Sequence, residues 1–228
     1  MGITNPYDKG YFPDPQLSNE DGILAVGGEL EIPVLLEAYS RGIFPWFSDD
    51  SPILWWSPDP RMVLFPERLK ISNSLKQTLQ KKVFEVRMDF AFGEVIEHCS
   101  SVPRPGQDGT WITKEMMRAY NQLHSEGYAH SVEVYKEGEL AGGLYGVSLG
   151  RVFFGESMFH LARDASKVAL YFLLDFLRKN DFDLVDAQQS TGHMKSLGAE
   201  EITRSRFLEI LSNSMTKDTL QQNWSSLS

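Results

Sequence analysis

The chain has 228 residues, of which 42% are hydrophobic and 23% charged, a composition and length that suit one generous domain or a small one joined to a larger one. Its net charge of −9 argues against a nucleic-acid partner, since phosphate binders usually carry basic surface, although a whole-chain average can hide a local patch. A single cysteine, Cys99, excludes internal disulfides and a cysteine-rich metal site, and no apolar run approaches the ~18 residues of a membrane span.

The N-terminus, MGITNPYDKGYFPDPQL, lacks the basic flank and apolar core of a secretion signal, and Pro6 departs from a myristoylation pattern. A reducing, cytoplasmic location is expected. Residues 1–66 are rich in Pro and Gly and read as a small N-terminal domain with one clear helix. Pro33 suits its first turn, Leu35, Leu36 and Tyr39 line one face, and Gly42 stops it. The stretch FPWFSDDSPILWWSPDPR (44–61) then holds three of the five tryptophans. Trp55 and Trp56 sit beside Ile53 and Leu54, as core residues do. Trp46, and Trp111 further on, lie in Pro- and Gly-rich loops, where core packing competes with stacking on a flat ligand.

From residue 67 to 228 the pattern is that of a larger domain. RLKISNSLKQTLQKK (68–82) carries five basic residues and no acid, with Leu75 and Leu79 at helical spacing. It reads as a short surface helix, either simply solvated or a local phosphate-contact site. FEVRM (84–88) resembles a strand, AFGEVIEHCS a short helix, and SVPRPGQDGT (101–110) an irregular loop. Thr113 is placed to cap a helix running to about Ser125, with Met116, Met117, Tyr120 and Leu123 on its apolar face and Gly127 closing it.

Residues 130–157 alternate apolar with polar and break at EG and LG, the pattern of a three-stranded antiparallel meander. A long helix follows, its buried side predicted to hold Ala165, Val168, Ala169, Phe172, Leu173, Phe176 and Leu177. DLVDAQ (183–188) reads as a short internal strand reached by that crossover helix. Short helices at 191–197 and 205–212 finish the core, and the polar tail beyond Ser214 is expected to fray. The expected fold class is α+β: a small N-terminal domain plus an acetyltransferase-like (GNAT-type) mixed-sheet domain.

There is no P-loop, no G-x-G-x-x-G after a strand and no G-x-S-x-G elbow. The histidines at 98, 124, 130, 160 and 193 show no metal-ligand spacing with each other or with Cys99, so no metal is expected. More informative are polar residues on apolar strands. Glu156 interrupts RVFFGESMF, and a buried carboxylate needs a partner or a task. Asp186 and Gln188 lie two apart and so share a strand face, where an acid beside an amide could orient an incoming amine. Structural and functional readings of all three stay open on these grounds.

Seven motifs taken together narrow the choice. G-I-L-A-V-G-G-E-L (22–30), A-Y-S-R-G-I-F-P-W-F-S (38–48), P-I-L-W-W-S-P-D-P-R (52–61), G-T-W-I-T (109–113), G-G-L-Y-G-V (142–147), G-E-S-M-F (155–159) and S-L-G-A-E (196–200) occur in this order. As a set spanning roughly 11–212 they resemble the leucyl/phenylalanyl-tRNA–protein transferases, bacterial enzymes of the N-degron pathway. The resemblance implies transfer of Leu or Phe, and Met less well, from aminoacyl-tRNA to proteins with an N-terminal Arg or Lys. It implies no cofactor, since the aminoacyl ester is already activated, and a monomer without membrane partners. An acyl-CoA-dependent acyltransferase is one alternative, although R-D-A-S-K (163–167) lacks the glycines of a pyrophosphate loop. A non-catalytic aminoacyl-tRNA-binding module is another.

Carried over residue by residue, the resemblance makes Trp46 and Trp111 the rings that hold the terminal adenosine. Leu144, Phe153, Leu170, Leu173 and Val185 would form the pocket for the aminoacyl side chain. Gln188 would accept a hydrogen bond from the acceptor amine, with Asp186 orienting or polarising its amide, and Glu156 would hold an ammonium group. Tyr39, Tyr120 and His193 would support the site, and Lys76, Lys81 and Lys82 would contact acceptor-stem phosphates. Trp55 and Trp56 are expected to be structural, tying the small domain to the large one.

Overall fold

Local stop and start signals do what their chemistry requires in the computed structural model, which describes residues 7–101 and 111–227. The N-terminal segment 1–6, read for targeting signals, and nearly all of the expected 101–110 loop lie outside the described residues. Helix α1, Ile32–Ser40, has Pro33 in its first turn and ends before Gly42, whose φ of +72° is the left-handed conformation that glycine adopts without strain. Strands β1 (Ile23–Val26), β2 (Phe44–Pro45) and β3 (Leu54–Trp56) form a three-stranded sheet in the order β1-β3-β2.

The second sheet has seven strands. After β4 (Arg61–Leu64) come helix α2 (Asn73–Lys81), strand β5 (Glu85–Met88) and helices α3 (Phe92–Ser101) and α4 (Lys114–Ser125). The predicted meander follows as β6 (Ala129–Lys136), β7 (Glu139–Leu149) and β8 (Val152–His160). Helix α5 (Ala165–Lys179) then crosses over to β9 (Leu184–Gln188), which lies parallel to β8. Helix α6 (Gly192–Ser196), strand β10 (Glu200–Ile202) and helix α7 (Arg204–Ser214) complete the order β10-β4-β9-β8-β7-β6-β5. This is a mixed sheet, as expected, with the antiparallel meander β6-β7-β8 followed by a parallel strand reached through a crossover helix. Strand β4 sits between β9 and β10, so the large sheet reaches back to Arg61, ahead of the division expected after residue 66.

Strand residues alternate between two apolar cores, one on each face of the large sheet. Val152, Phe154 and Leu184 join Tyr39, Val95, Tyr120 and Phe207 in the first core. Phe153 and Val185 join Leu144, Leu170 and Leu173 in the second, beneath α5. With both faces covered, even Ser131 and Glu133 of β6 are fully buried.

Two expectations fail. Phe172 does not belong to the buried side of α5: it is 38% exposed, and Leu174 is buried instead. A broad apolar stripe on a helix leaves its flanking positions undecided until the neighbours are in place. The tail beyond Ser214 does not fray either. Met215 and Trp224 are buried, and the Trp224 ring stacks on His130 at 3.7 Å with only 4° between the planes. The Trp224 N–H donates to Asp89 at 2.7 Å, and Lys217 pairs with Asp183. A few well-sheltered apolar anchors outweigh the polar average of that segment.

Candidate active site

Strands β8 and β9 pair from Val152–Leu184 to Phe154–Asp186, and beyond that point no pair joins them. Gln188 spans the resulting gap: its Nε2 donates to Glu156 Oε1 at 2.9 Å. Glu156 is the extra residue of a β-bulge, since the β7–β8 register steps from Gly146–Gly155 to Tyr145–Ser157. A side chain on Gly146 would collide with the Phe154 carbonyl oxygen, so glycine lets β7 close up beside that bulge.

Around Glu156 the donors come from three separate elements. Tyr39 on α1 donates to Oε1 at 2.7 Å, Tyr120 on α4 lies 3.2 Å from Oε2, and the two phenol oxygens also face each other within hydrogen-bond reach. With two hydroxyl protons for three contacts, one phenol divides its donation while Glu156 is ionised. The small N-terminal segment thus supplies one wall of the site. Burial pushes the Glu156 carboxyl up to about 7; the bonds from Tyr39, Tyr120 and Gln188 oppose the shift, and Asp186 adds to it. Burial, followed by the neighbouring Glu156 charge, holds both phenols well above the ordinary tyrosine range, so they remain donors.

Asp186 is fully buried and gripped by a residue that sequence reasoning missed. Arg61 on β4 donates from Nε to Oδ1 at 2.8 Å and from Nη2 to Oδ2 at 2.6 Å. The guanidinium lies over the rings of Phe44, at 4.9 Å, and Phe207, at 4.5 Å. Asp186 Oδ1 also accepts the backbone N–H of Gln188 at 2.9 Å, and Gln188 adopts a φ of +60°. The contact between Asp186 and Gln188 therefore runs through the backbone and not through the side-chain amide. A signal did exist: a lone arginine opening the apolar run RMVLF and a lone aspartate in LVDA each demand a buried counter-charge.

The five residues expected to line an aminoacyl pocket come together in the α5-side core, each no more than 3% exposed. That core is on the opposite face of the sheet from Tyr39 and Tyr120.

Trp46 and Trp111 are both half-buried against the N-terminal side of the first core. Trp56 supports Trp46, donating from its indole to the Trp46 carbonyl at 2.7 Å and packing ring to ring at 5.4 Å. Phe47 and Thr113, which follow the two tryptophans closely in sequence, line one open cleft of about 600 Å³. Trp55 is core: it packs edge-on against Phe12 and donates to the Gly27 carbonyl, both partners within the N-terminal segment.

Lys76, Lys81 and Lys82 are exposed, on or just beyond α2, and among the described residues none of them is in an ion pair. Helix α2 docks on the start of α5 through Thr78, which donates to Asp164. His193 on α6 is exposed, yet partial desolvation and then the charges of Lys167 and His160 lower its pKa. Cys99 is buried in α3, as a structural thiol would be. Among the described residues no three His, Cys, Asp or Glu side chains converge as metal ligands, and no helix is long and apolar enough to cross a membrane.

The family profile "Leucyl/phenylalanyl-tRNA protein transferase" matches residues 63–212, and that of the same family's N-terminal domain matches residues 28–59. The leucyl/phenylalanyl-tRNA–protein transferase of Syntrophobacter fumaroxidans is 54% identical over 213 residues, covering 93% of this chain and 91% of that protein. That of Legionella pneumophila is 50% identical over 220 residues, covering 96% and 98%. Among solved structures, an aminoglycoside acetyltransferase from a soil metagenome aligns at 10% identity over 49% of this chain and 80% of that one, with a TM-score of 0.36. That likeness is too slight to bear on chemistry. The chain belongs to the leucyl/phenylalanyl-tRNA–protein transferase family, and it is an aminoacyltransferase.

Proposed function

We propose that the chain moves Leu or Phe, and Met less well, from aminoacyl-tRNA to proteins that begin with Arg or Lys, marking them for degradation. The observation that carries the chemical reading is the lock on Gln188. Its Nε2 is held by Glu156, and among the described residues nothing donates to its Oε1. That oxygen is the acceptor on offer to an incoming amine at the opening between the two strands.

In the transfer, the acceptor's α-nitrogen bonds to the ester carbonyl carbon and the ester C–O bond breaks. The nitrogen loses a proton, and the leaving ribose hydroxyl gains one. A neutral amide holds a proton poorly, so Gln188 orients the amine instead of deprotonating it. Positioning of this kind can supply about 7–11 kcal/mol of the barrier lowering. Glu156 Oε1 already accepts from Tyr39 and Gln188, whereas Oε2 accepts only from Tyr120. A carboxylate oxygen can take two such bonds, so Oε2 has room for one N–H of an ammonium group.

Trp46 and Trp111 hold the terminal adenine, each ring contact worth about 1–3 kcal/mol. The buried cluster of Leu144, Phe153, Leu170, Leu173 and Val185 receives the aminoacyl side chain on the α5 side of the opening. His193, on the helix after β9, has a supporting role in this reading.

The test mixes the purified chain with radiolabelled Leu-tRNA and a protein beginning with Arg. Label is expected on the acceptor; none, while the tRNA stays charged, would overturn the reading. The exposed lysines of the basic helix make a second expectation. Substituting Lys81 and Lys82 by Ala should reduce the slope of log affinity for Leu-tRNA against log salt by about 2, one for each lost phosphate contact. Filter binding across a salt series measures it, and an unchanged slope removes both lysines from the tRNA path.

A further inference from the structure

We infer that Arg61 is a positioning residue for the transfer: its two-pronged hold on Asp186 fixes the left-handed turn at Gln188 that presents the amide to the acceptor amine. The inference rests on the reading of Gln188 given above. Arg61 is itself 1% exposed, behind Asp186, so it acts through other groups and touches no substrate.

A glutamine at φ +60° is in a conformation that side chains with a Cβ disfavour, and it persists only where surrounding bonds over-determine it. The constraint is the bond from the Gln188 N–H to Asp186 Oδ1. That bond requires the carboxylate plane to stay put. Arg61 supplies what is needed, because a guanidinium fork engages both oxygens at once and so fixes the plane as well as the charge. The guanidinium also packs over the rings of Phe44 and Phe207.

Strand pairing adds to the constraint. Strand β4 pairs Val63 with Asp186 and Met62 with Gln188, a register shift at this very step. The strand that carries Arg61 is therefore the one that turns Gln188 out of line. Asp186 accepts three N–H bonds, from Arg61 Nε and the Gln188 backbone on Oδ1 and from Arg61 Nη2 on Oδ2. Its contribution passes through the Gln188 backbone N–H.

The test is a kinetic cycle on the intact chain with Leu-tRNA and the Arg-initiated acceptor. Arg61→Lys keeps the charge and loses the fork. It is expected to lower kcat by about 100-fold, the scale of a ~1 Å misplacement, with donor KM within about threefold and the thermal unfolding midpoint near that of the wild type. In a Gln188→Ala background the same substitution should cost less than about threefold more, because its target is gone. Phe207→Leu, which loosens the fork without touching the charge, should lower kcat about tenfold at unchanged KM.

Losses that multiply independently of Gln188 would overturn the assignment. So would a raised KM at constant kcat, or an Arg61→Lys protein that loses its unfolding transition while Phe207→Leu stays fully active. Wild-type protein that transfers no label would instead refute the functional reading itself, and the two failures are thereby distinguished.

Discussion

Replacing Trp224 with Ala is expected to destabilise the fold by about 3–5 kcal/mol, the range for truncating a large buried aromatic side chain. The indole is completely buried and meets four rings: His130 at 3.7 Å, Phe176 at 4.6 Å, Phe153 at 5.9 Å and Phe182 at 6.1 Å. Its backbone N–H satisfies Asp89, which also accepts from Ser131 and bonds His130. Removing the ring leaves a void between β6, β8 and α5 that these neighbours cannot fill without leaving their strands and helix. For a chain of this size each kcal/mol moves the unfolding midpoint by about 2–4 °C, so a fall on the order of 10 °C is expected by calorimetry. A midpoint within a degree or two of the wild type would mean that the tail is dispensable, as its polar composition alone suggests.

That contrast shows where the sequence is legible. The helix over Lys114–Ser125 was readable because its signals are local: Thr113 accepts the Met116 N–H, and Gly127 follows the last turn. The meander and its crossover were readable for the same reason, with Gly138 and Gly150 at the two reversals. Trp224 was not, because its shelter is assembled from residues as far back as Asp89, separated from it by 135 positions. Periodicity cannot register one anchor in a polar tail.

The candidate site divides in the same way. Glu156, Asp186 and Gln188 stood out as polar residues on apolar strands. Their wiring did not, because it depends on a bulge at Glu156, a left-handed turn at Gln188 and a partner, Arg61, 125 residues from Asp186. The alternation rule places Asp186 and Gln188 on one face; the actual φ at Gln188 replaces that simple geometry with a backbone bond between them.

Glu156 leads to the second large expectation, a pH-dependent stability that a single substitution should abolish. In the unfolded chain its carboxyl loses its proton near 4.5, whereas burial in the folded protein holds the proton up to about 7. Between those values the folded state binds more protons, so stability falls as pH rises through this window and levels off above it. The full difference, roughly 2.5 pH units at 1.36 kcal/mol each, is about 3 kcal/mol. Glu156→Gln keeps the shape and a carbonyl acceptor but has no charge to bury. Its amide can accept from Tyr39 or Gln188 and donate to a phenol oxygen, so the cluster keeps its bonds. Relative to wild type, the variant should therefore gain about 2 kcal/mol of unfolding free energy between about pH 5.5 and about pH 8. Urea titrations of both proteins at the two pH values give that difference directly, and every other titrating group cancels from it. A difference that stays constant with pH would place the Glu156 ionisation back in the ordinary carboxylate range and remove burial as the dominant influence on this site. A difference that grows identifies the Tyr39–Tyr120–Glu156 cluster as the place where the fold gives up stability to keep a titratable carboxyl beside Gln188.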